Sequence, residues 1–216
     1  MSLVVDQLEL GPIGTNTYLV RTDPTAPDAV VVDPSGTAET IVQALAAVDS
    51  RCAAILVTHG HFDHIVSLAD LAEVTGATVY APAGEKMLIE QPAAFTPPGL
   101  DVRPATADVW LAGGETIEAA GITFQVSAAP GHSPAHLAFF ADAHLFSGDV
   151  LFAGSVGRTD LPGADWDTLE SSIESLLDAY PLETTVHPGH GPETTLEAEL
   201  ATNPFLADLR TLRQAR

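Results

Sequence analysis

Short apolar segments alternate along this chain with turns rich in Gly, Pro, Asp and Ser, the punctuation of strands more than of long helices. Leu3–Leu10, Thr17–Arg21 and Ala29–Val32 read as strands, and Asp33-Pro34-Ser35-Gly36 turns the chain after the third. A helix is predicted over Ala38–Val48 with Thr37 as its N-cap. Ala53–Val57 is a continuous apolar run, the pattern of a strand covered on both faces. Ile65, Leu68, Ala69, Leu71 and Ala72 then fall on one helical stripe, which Gly76 closes. Ala77–Tyr80 predicts a strand and Gly84–Glu90 a short helix. The Pro-rich stretch Gln91–Pro104 predicts no regular element.

The second half repeats the theme. Asp108–Leu111, Glu115–Ala119, Ile122–Ala128, His136–Ala141 and His144–Ser147 predict short strands. Asp165–Ala179 is an amphipathic helix with Leu169, Ile173, Leu176 and Leu177 on one side, Thr184–His187 a strand, and Pro204–Gln214 a last helix after Asn203. Strands followed by a helix, twice over, imply an α/β (α+β) sandwich: two sheets packed face to face with helices outside. No repeat of fixed period interrupts the pattern. The expectation is one domain over residues 1–216, large enough to bury roughly 70% of its unfolded surface.

Composition narrows the partners. With 29 acidic and 8 basic side chains the net charge is −21, opposite to the footprint that nucleic acid or an anionic membrane selects. No run approaches the ~18 apolar residues of a membrane span, and Met1-Ser2-Leu3-Val4-Val5-Asp6 has no basic leader region. A cytoplasmic location is expected. One cysteine, Cys52, makes no internal disulfide.

The chemistry lies in seven residues: His59, His61, Asp63, His64, His132, Asp149 and His190, most of them following predicted strands and beside glycines. Chance would place the dense motif His59-Gly60-His61-Phe62-Asp63-His64 roughly 0.001 times in a chain of this composition. His59 and His61, two apart on an extended backbone, point the same way and can share one ion. Asp63 and His64 are adjacent, so their side chains diverge by about half a strand period and face a second. His132 can complete the first site and His190 the second, and Asp149, with two oxygens, can bridge ions about 3.5–4 Å apart. Such sites keep a position open to water, whose proton is lost near neutral pH between two divalent ions. No Ser or Cys nucleophile is then needed, and hydrolysis is the expected reaction.

These motifs, with Val32-Asp33-Pro34, Pro130-Gly131-His132-Ser133-Pro134, Ser147-Gly148-Asp149, Gly157-Arg158-Thr159-Asp160 and Asn203-Pro204-Phe205-Leu206, resemble the metallo-β-lactamase superfamily over nearly the whole length, and within it the glyoxalase II-like hydrolases. The resemblance implies an αββα sandwich and a binuclear zinc, or mixed zinc, iron and manganese, centre. It implies a small-molecule thioester substrate such as S-D-lactoylglutathione, with Asp63 helping to orient the attacking water. It also implies the same division of ligands reached from spacing: His59, His61 and His132 on one ion, Asp63, His64 and His190 on the other, Asp149 between. Asp33 is read either as a carboxylate orienting a ligand imidazole or as the turn residue before Pro34. Arg158 stands where the larger glyoxalase II enzymes carry a substrate-contacting lysine. It is either that contact or a buried partner of Asp160, which replaces their tyrosine. Their C-terminal helical domain has no counterpart in these 216 residues.

The other candidates are weaker. His136 is the best remaining support for a ligand, and His144 and His187 read as structural or surface groups. Cys52 lies about 20 Å from His59 if the intervening run is extended, too far to be a ligand. Gln91–Pro104 is either a lid or a plain surface loop. The rival chemistry is an iron-dependent persulfide dioxygenase, with His59, His132 and Asp149 as its facial triad. A lactone or other ester hydrolase and a non-catalytic metal-binding role complete the alternatives.

Overall fold

The computed structural model describes residues 3–214. Its first half runs β1 (Val4–Leu10), β2 (Thr15–Arg21), β3 (Asp28–Val32), α1 (Ala38–Ala47), β4 (Arg51–Leu56), α2 (Phe62–Ile65), α3 (Leu68–Thr75), β5 (Thr78–Pro82), α4 (Lys86–Glu90) and β6 (Val109–Leu111). The second half runs β7 (Thr116–Ala119), β8 (Ile122–Ala128), β9 (Leu137–Ala141), β10 (His144–Gly148), β11 (Leu151–Phe152), β12 (Ser155–Val156), α5 (Trp166–Ala179), β13 (Thr185–Pro188), β14 (Thr194–Thr195), α6 (Leu196–Thr202) and α7 (Ala207–Gln214). One sheet has the order β1-β2-β3-β4-β5-β6, the other β14-β13-β10-β9-β8-β7. β3, β4, β5 and β6 are parallel neighbours, as are β10 and β13; the other pairings within the two sheets are antiparallel.

Alternation along the strands divides the core into three apolar layers. Val30, Val32, Ala54 and Leu56 face inward and meet Phe124, Val126, Phe139 and Phe146 of the opposite sheet. Val31 and Ile55, on the other face, pack beneath Ile41 and Leu45 of α1 and Leu68 and Leu71 of α3. Leu169, Ile173, Leu176 and Leu177 of α5 cover Ala138, Leu145 and Val186 of the second sheet. This is the expected sandwich, and β4 is buried on both faces because it runs through the centre of its sheet.

Helix ends follow the sequence. Thr37 accepts from Thr40 N, Asp165 from Thr168 N, and Gly76 closes α3 in the left-handed region. Five local expectations need correction. The stripe from Ile65 is two helices, α2 and α3, broken at Val66 and Ser67. Gln91–Pro104 holds one 3-10 turn, Pro92–Ala94, and Pro204–Gln214 opens with another, Pro204–Leu206. The two-residue strands β11, β12 and β14 are too short to leave a period-2 signal. α6 is unanticipated although Thr195 caps it by accepting from Ala198 N. Among the described residues no helix is long and apolar enough to cross a membrane.

Candidate metal centre

All seven predicted donors converge at one end of the sandwich. His59 and His61 lie in the loop after β4, and Asp63 and His64 sit in the helical turn α2. Here the strand-based picture of Asp63 and His64 is corrected: a helical turn, not an extended half-period, aims them. His132 follows β8, Asp149 follows β10 directly, and His190 follows β13. Both sheets therefore contribute.

The donors form two triads. His59 Nε2 and His132 Nε2 lie 3.0 and 2.9 Å from His61 Nδ1. His64 Nε2 and His190 Nε2 lie 3.3 and 3.4 Å from Asp63 Oδ2. Ligands about 2.0–2.1 Å from one tetrahedral ion stand roughly 3.3 Å apart, so both spacings fit. Asp149 spans the gap, with Oδ1 3.3 Å from His64 Nε2 and Oδ2 3.5 Å from His132 Nε2 and 3.6 Å from His190 Nε2.

Three of the imidazoles, His64, His132 and His190, are oriented through their other nitrogen. His64 Nδ1 lies 2.9 Å from Asp33 Oδ2. His132 Nδ1 meets the Arg158 carbonyl at 2.9 Å, and His190 Nδ1 the Gly14 carbonyl at 3.3 Å. These acceptors select the tautomer whose Nε2 lone pair points into the centre. Asp33 is fixed in turn by accepting from Thr58 N and Thr58 Oγ1, each at 2.7 Å. Of its two readings, the orienting carboxylate matches the geometry, and the turn before Pro34 is its backbone setting.

Two buried atoms test whether cations fit. His64 Nε2 and Asp149 Oδ1 complete no hydrogen bond, although a buried polar atom left unpaired costs about 1–3 kcal/mol. A divalent cation satisfies both. The local potential agrees: burial pulls His64 down, but Asp149, Asp63 and Asp33 together outweigh it and raise its pKa well above the usual value. Burial would raise Asp63, yet His64 and hydrogen bonds from His190 and Thr15 hold it down at about 2. Burial and the neighbouring imidazoles lower His59, and His61 falls to about 4, leaving both as neutral donors.

Residues outside the motif complete the frame. Thr15 Oγ1 donates to Asp63 Oδ2 at 2.7 Å. Asn16 Nδ2 donates to the Pro188 and Gly191 carbonyls at 2.9 and 2.8 Å, and Tyr18 Oη to Pro188 at 2.6 Å, so β2 pins the loop carrying His190. His136 stacks on His59 with ring centroids 4.6 Å apart, and its Nε2 accepts from Asp149 N at 3.1 Å. Gly148 has φ +48°, and a Cβ there would lie 2.5 Å from Thr58 Oγ1; at Gly189 a Cβ would meet His64 Cε1 at 2.7 Å. Glycines are required for this close approach.

The remaining candidates lie apart. His144 and His187 stack on each other, with Nδ1 and Nε2 2.9 Å apart, on β10 and β13. Cys52 is buried on β4, and burial pushes its thiol up to about 12. Arg158 does pair with Asp160, at 2.6 and 2.7 Å, but the side chains are 63% and 67% exposed, which corrects the expectation of a buried pair.

Comparison with known proteins matches the family model "Metallo-beta-lactamase superfamily" to residues 10–190. The chain belongs to that superfamily. Hydroxyacylglutathione hydrolase GloC of Haemophilus influenzae is 35% identical over 188 residues, 83% of this chain and 87% of that protein. Three solved structures superpose closely. The BLEG-1 B3 metallo-beta-lactamase has a TM-score of 0.86 at 39% identity, covering 94% of this chain and all of that one. TTHA1623 in a di-iron-bound form scores 0.80 at 42% identity, with the same coverage. ETHE1 from Myxococcus xanthus scores 0.77 at 29%, covering 95% of this chain and 85% of that one. With its two donor triads, the protein is a metallo-hydrolase of this superfamily.

Proposed function

We propose that the protein hydrolyses an acyl thioester, in the manner of glyoxalase II, releasing a free acid and a thiol. The observation that carries this is the pair of triads joined by Asp149 and partly open to solvent at His190, whose side chain is 27% exposed. Two divalent ions, zinc, iron or manganese, would lower the pKa of water to near neutrality and polarise a carbonyl oxygen. No thiol of the chain competes for that task, since Cys52 is buried on β4. The relative named hydroxyacylglutathione hydrolase directs the substrate class toward S-D-lactoylglutathione or a related acyl-thiol.

The side chains have defined duties. His59, His61 and His132 would hold one ion, Asp63, His64 and His190 the other, and Asp149 would lie between them. Asp63, anchored by Thr15, would also help to orient the attacking water. Arg158 is the proposed substrate contact: its carbonyl backs His132 while its guanidinium, held only by an exposed ion pair, is free to exchange Asp160 for a substrate carboxylate. Exposed ion pairs are weak because water screens them, so the exchange costs little.

The test is metal content together with hydrolysis of S-D-lactoylglutathione, before and after chelation. About two ions per chain and chelator-sensitive hydrolysis are expected. One iron per chain, no hydrolysis and oxygen uptake with glutathione persulfide would replace this reading with the dioxygenase.

A further inference from the structure

We infer that Glu85 is a positioning residue for the triad His59, His61 and His132, a buried carboxylate that clamps the two loops carrying it. Glu85 closes the 3-10 turn Ala83–Glu85 just before α4 and is fully buried. Its Oε2 accepts from Gly60 N at 2.5 Å, and Gly60 stands between His59 and His61. Its Oε1 accepts from Ser133 Oγ and, at 3.2 Å, from Ala135 N, in the residues just after His132. One side chain thus ties together segments from the first sheet, the second sheet and the Ala83–Glu85 turn.

Two of the partners, Gly60 N and Ala135 N, can only donate, so each carboxyl oxygen accepts from a backbone amide. Burial raises the Glu85 pKa, and the three hydrogen bonds oppose that rise. The backbone packing was shaped for the same contact. A Cβ on Gly60 would lie 2.7 Å from Leu88 Cβ, and one on Gly84 2.5 Å from Ala135 Cβ. The turn therefore approaches both loops at backbone distance, which brings a short carboxylate within reach of both.

The other triad does not use this clamp. Asp63, His64 and His190 are held by Thr15, Asp33 and the Gly14 carbonyl. Glu85 thus contacts only the loops of the first triad, while Thr58 Oγ1, which donates to Asp33 and lies 3.0 Å from His59 Nδ1, links the two frames. Residues that hold ligands in place typically change metal affinity 10- to 100-fold when replaced.

This rests on the reading that the triads hold two ions, and the experiment separates the two claims. Zinc is titrated against a competing chelator into wild type, Glu85→Gln and Ser133→Ala, and the zinc-loaded proteins are followed by imidazole nitrogen NMR. His61 converges through Nδ1 whereas His59, His132, His64 and His190 converge through Nε2, so an Nδ1-bound imidazole reports the first triad. Glu85→Gln is expected to weaken one ion at least 10-fold with loss of the Nδ1-bound signal, leaving the other ion within twofold. Ser133→Ala is expected to weaken the same ion less. Equal weakening of both ions, or neither, in folded Glu85→Gln overturns the inference. If that variant does not fold, the same two readouts on Ser133→Ala decide. A wild type that binds fewer than two ions would instead sink the two-metal reading.

Discussion

Asp33→Asn separates orientation of a ligand from stability of the fold. Asp33 receives three donors: Thr58 N, Thr58 Oγ1 and His64 Nδ1, at 2.7, 2.7 and 2.9 Å. Its φ of +51° lies in the left-handed region, which costs Ala about 1–2 kcal/mol and Asn less. Asn has one acceptor oxygen and one donor amide. If the oxygen keeps Thr58 N, the amide must donate to His64 Nδ1, which drives the imidazole proton onto Nε2, the atom facing Asp63 and Asp149. If the amide is flipped, Thr58 N loses its acceptor, at about 1–3 kcal/mol. Either arrangement weakens the ion held by Asp63, His64 and His190 by about 10- to 100-fold, or ~1.4–2.7 kcal/mol. The expected loss of metal-free stability is only ~1–3 kcal/mol. Asp33→Ala strands all three donors and adds the backbone strain, so its metal-free stability should fall by at least about 3 kcal/mol. Chelator competition measures the first effect and urea unfolding of the metal-free protein the second. Asp33→Asn protein that retains both ions within twofold would refute the reasoning.

Other outcomes follow from the same geometry. Cys52→Ala should leave the proposed thioester hydrolysis within about twofold, measured at saturating substrate, because the thiol is buried on β4 with its pKa pushed up to about 12. His187, lowered to about 3 by burial and by His144, is neutral in the folded chain while the unfolded chain takes up a proton near pH 6.5. Its contribution is therefore intact above pH 6.5 and is lost as pH falls from there toward 3, by up to ~1.4 kcal/mol per pH unit. His187→Phe should flatten that limb of the stability curve in urea titrations. Ile173→Ala, at a fully buried position of α5, should cost about 2–5 kcal/mol in urea unfolding and leave the two metal affinities unchanged.

The donor set is legible in the sequence because its members cluster just beyond strand ends, in short loops or, for Asp63 and His64, in the helical turn α2 that follows one, where spacing restricts what each can reach. His59 and His61 are separated by one glycine, and no fold knowledge is needed to let them share an ion. The supporting frame is not legible in this way. Thr15 meets Asp63 across 48 positions and Glu85 meets Ser133 across another 48, so nothing local marks either residue. A Thr at the start of an apolar strand and a Glu before a short helix both have ordinary local explanations. Asp33 stands out through the Val32-Asp33-Pro34 motif that carries the resemblance, and His64, 31 positions away, decides its role. The helical turn α2 escapes periodicity because four residues span barely more than one turn. α6 did carry a signal, the capping Thr195, which the nearby glycines and prolines obscured.

The split origin of the ligands makes the ions rivets between two half-molecules. His59, His61, Asp63 and His64 belong to the half built on the first sheet, whereas His132, Asp149 and His190 belong to the half built on the second. Neither half alone carries a full triad, so an ion is gripped only after the halves have docked. An ion present at about 1,000 times its dissociation constant would then add ~4 kcal/mol to that docking. Metal binding and closure of the seam between the two sheets would then be linked equilibria, each strengthening the other.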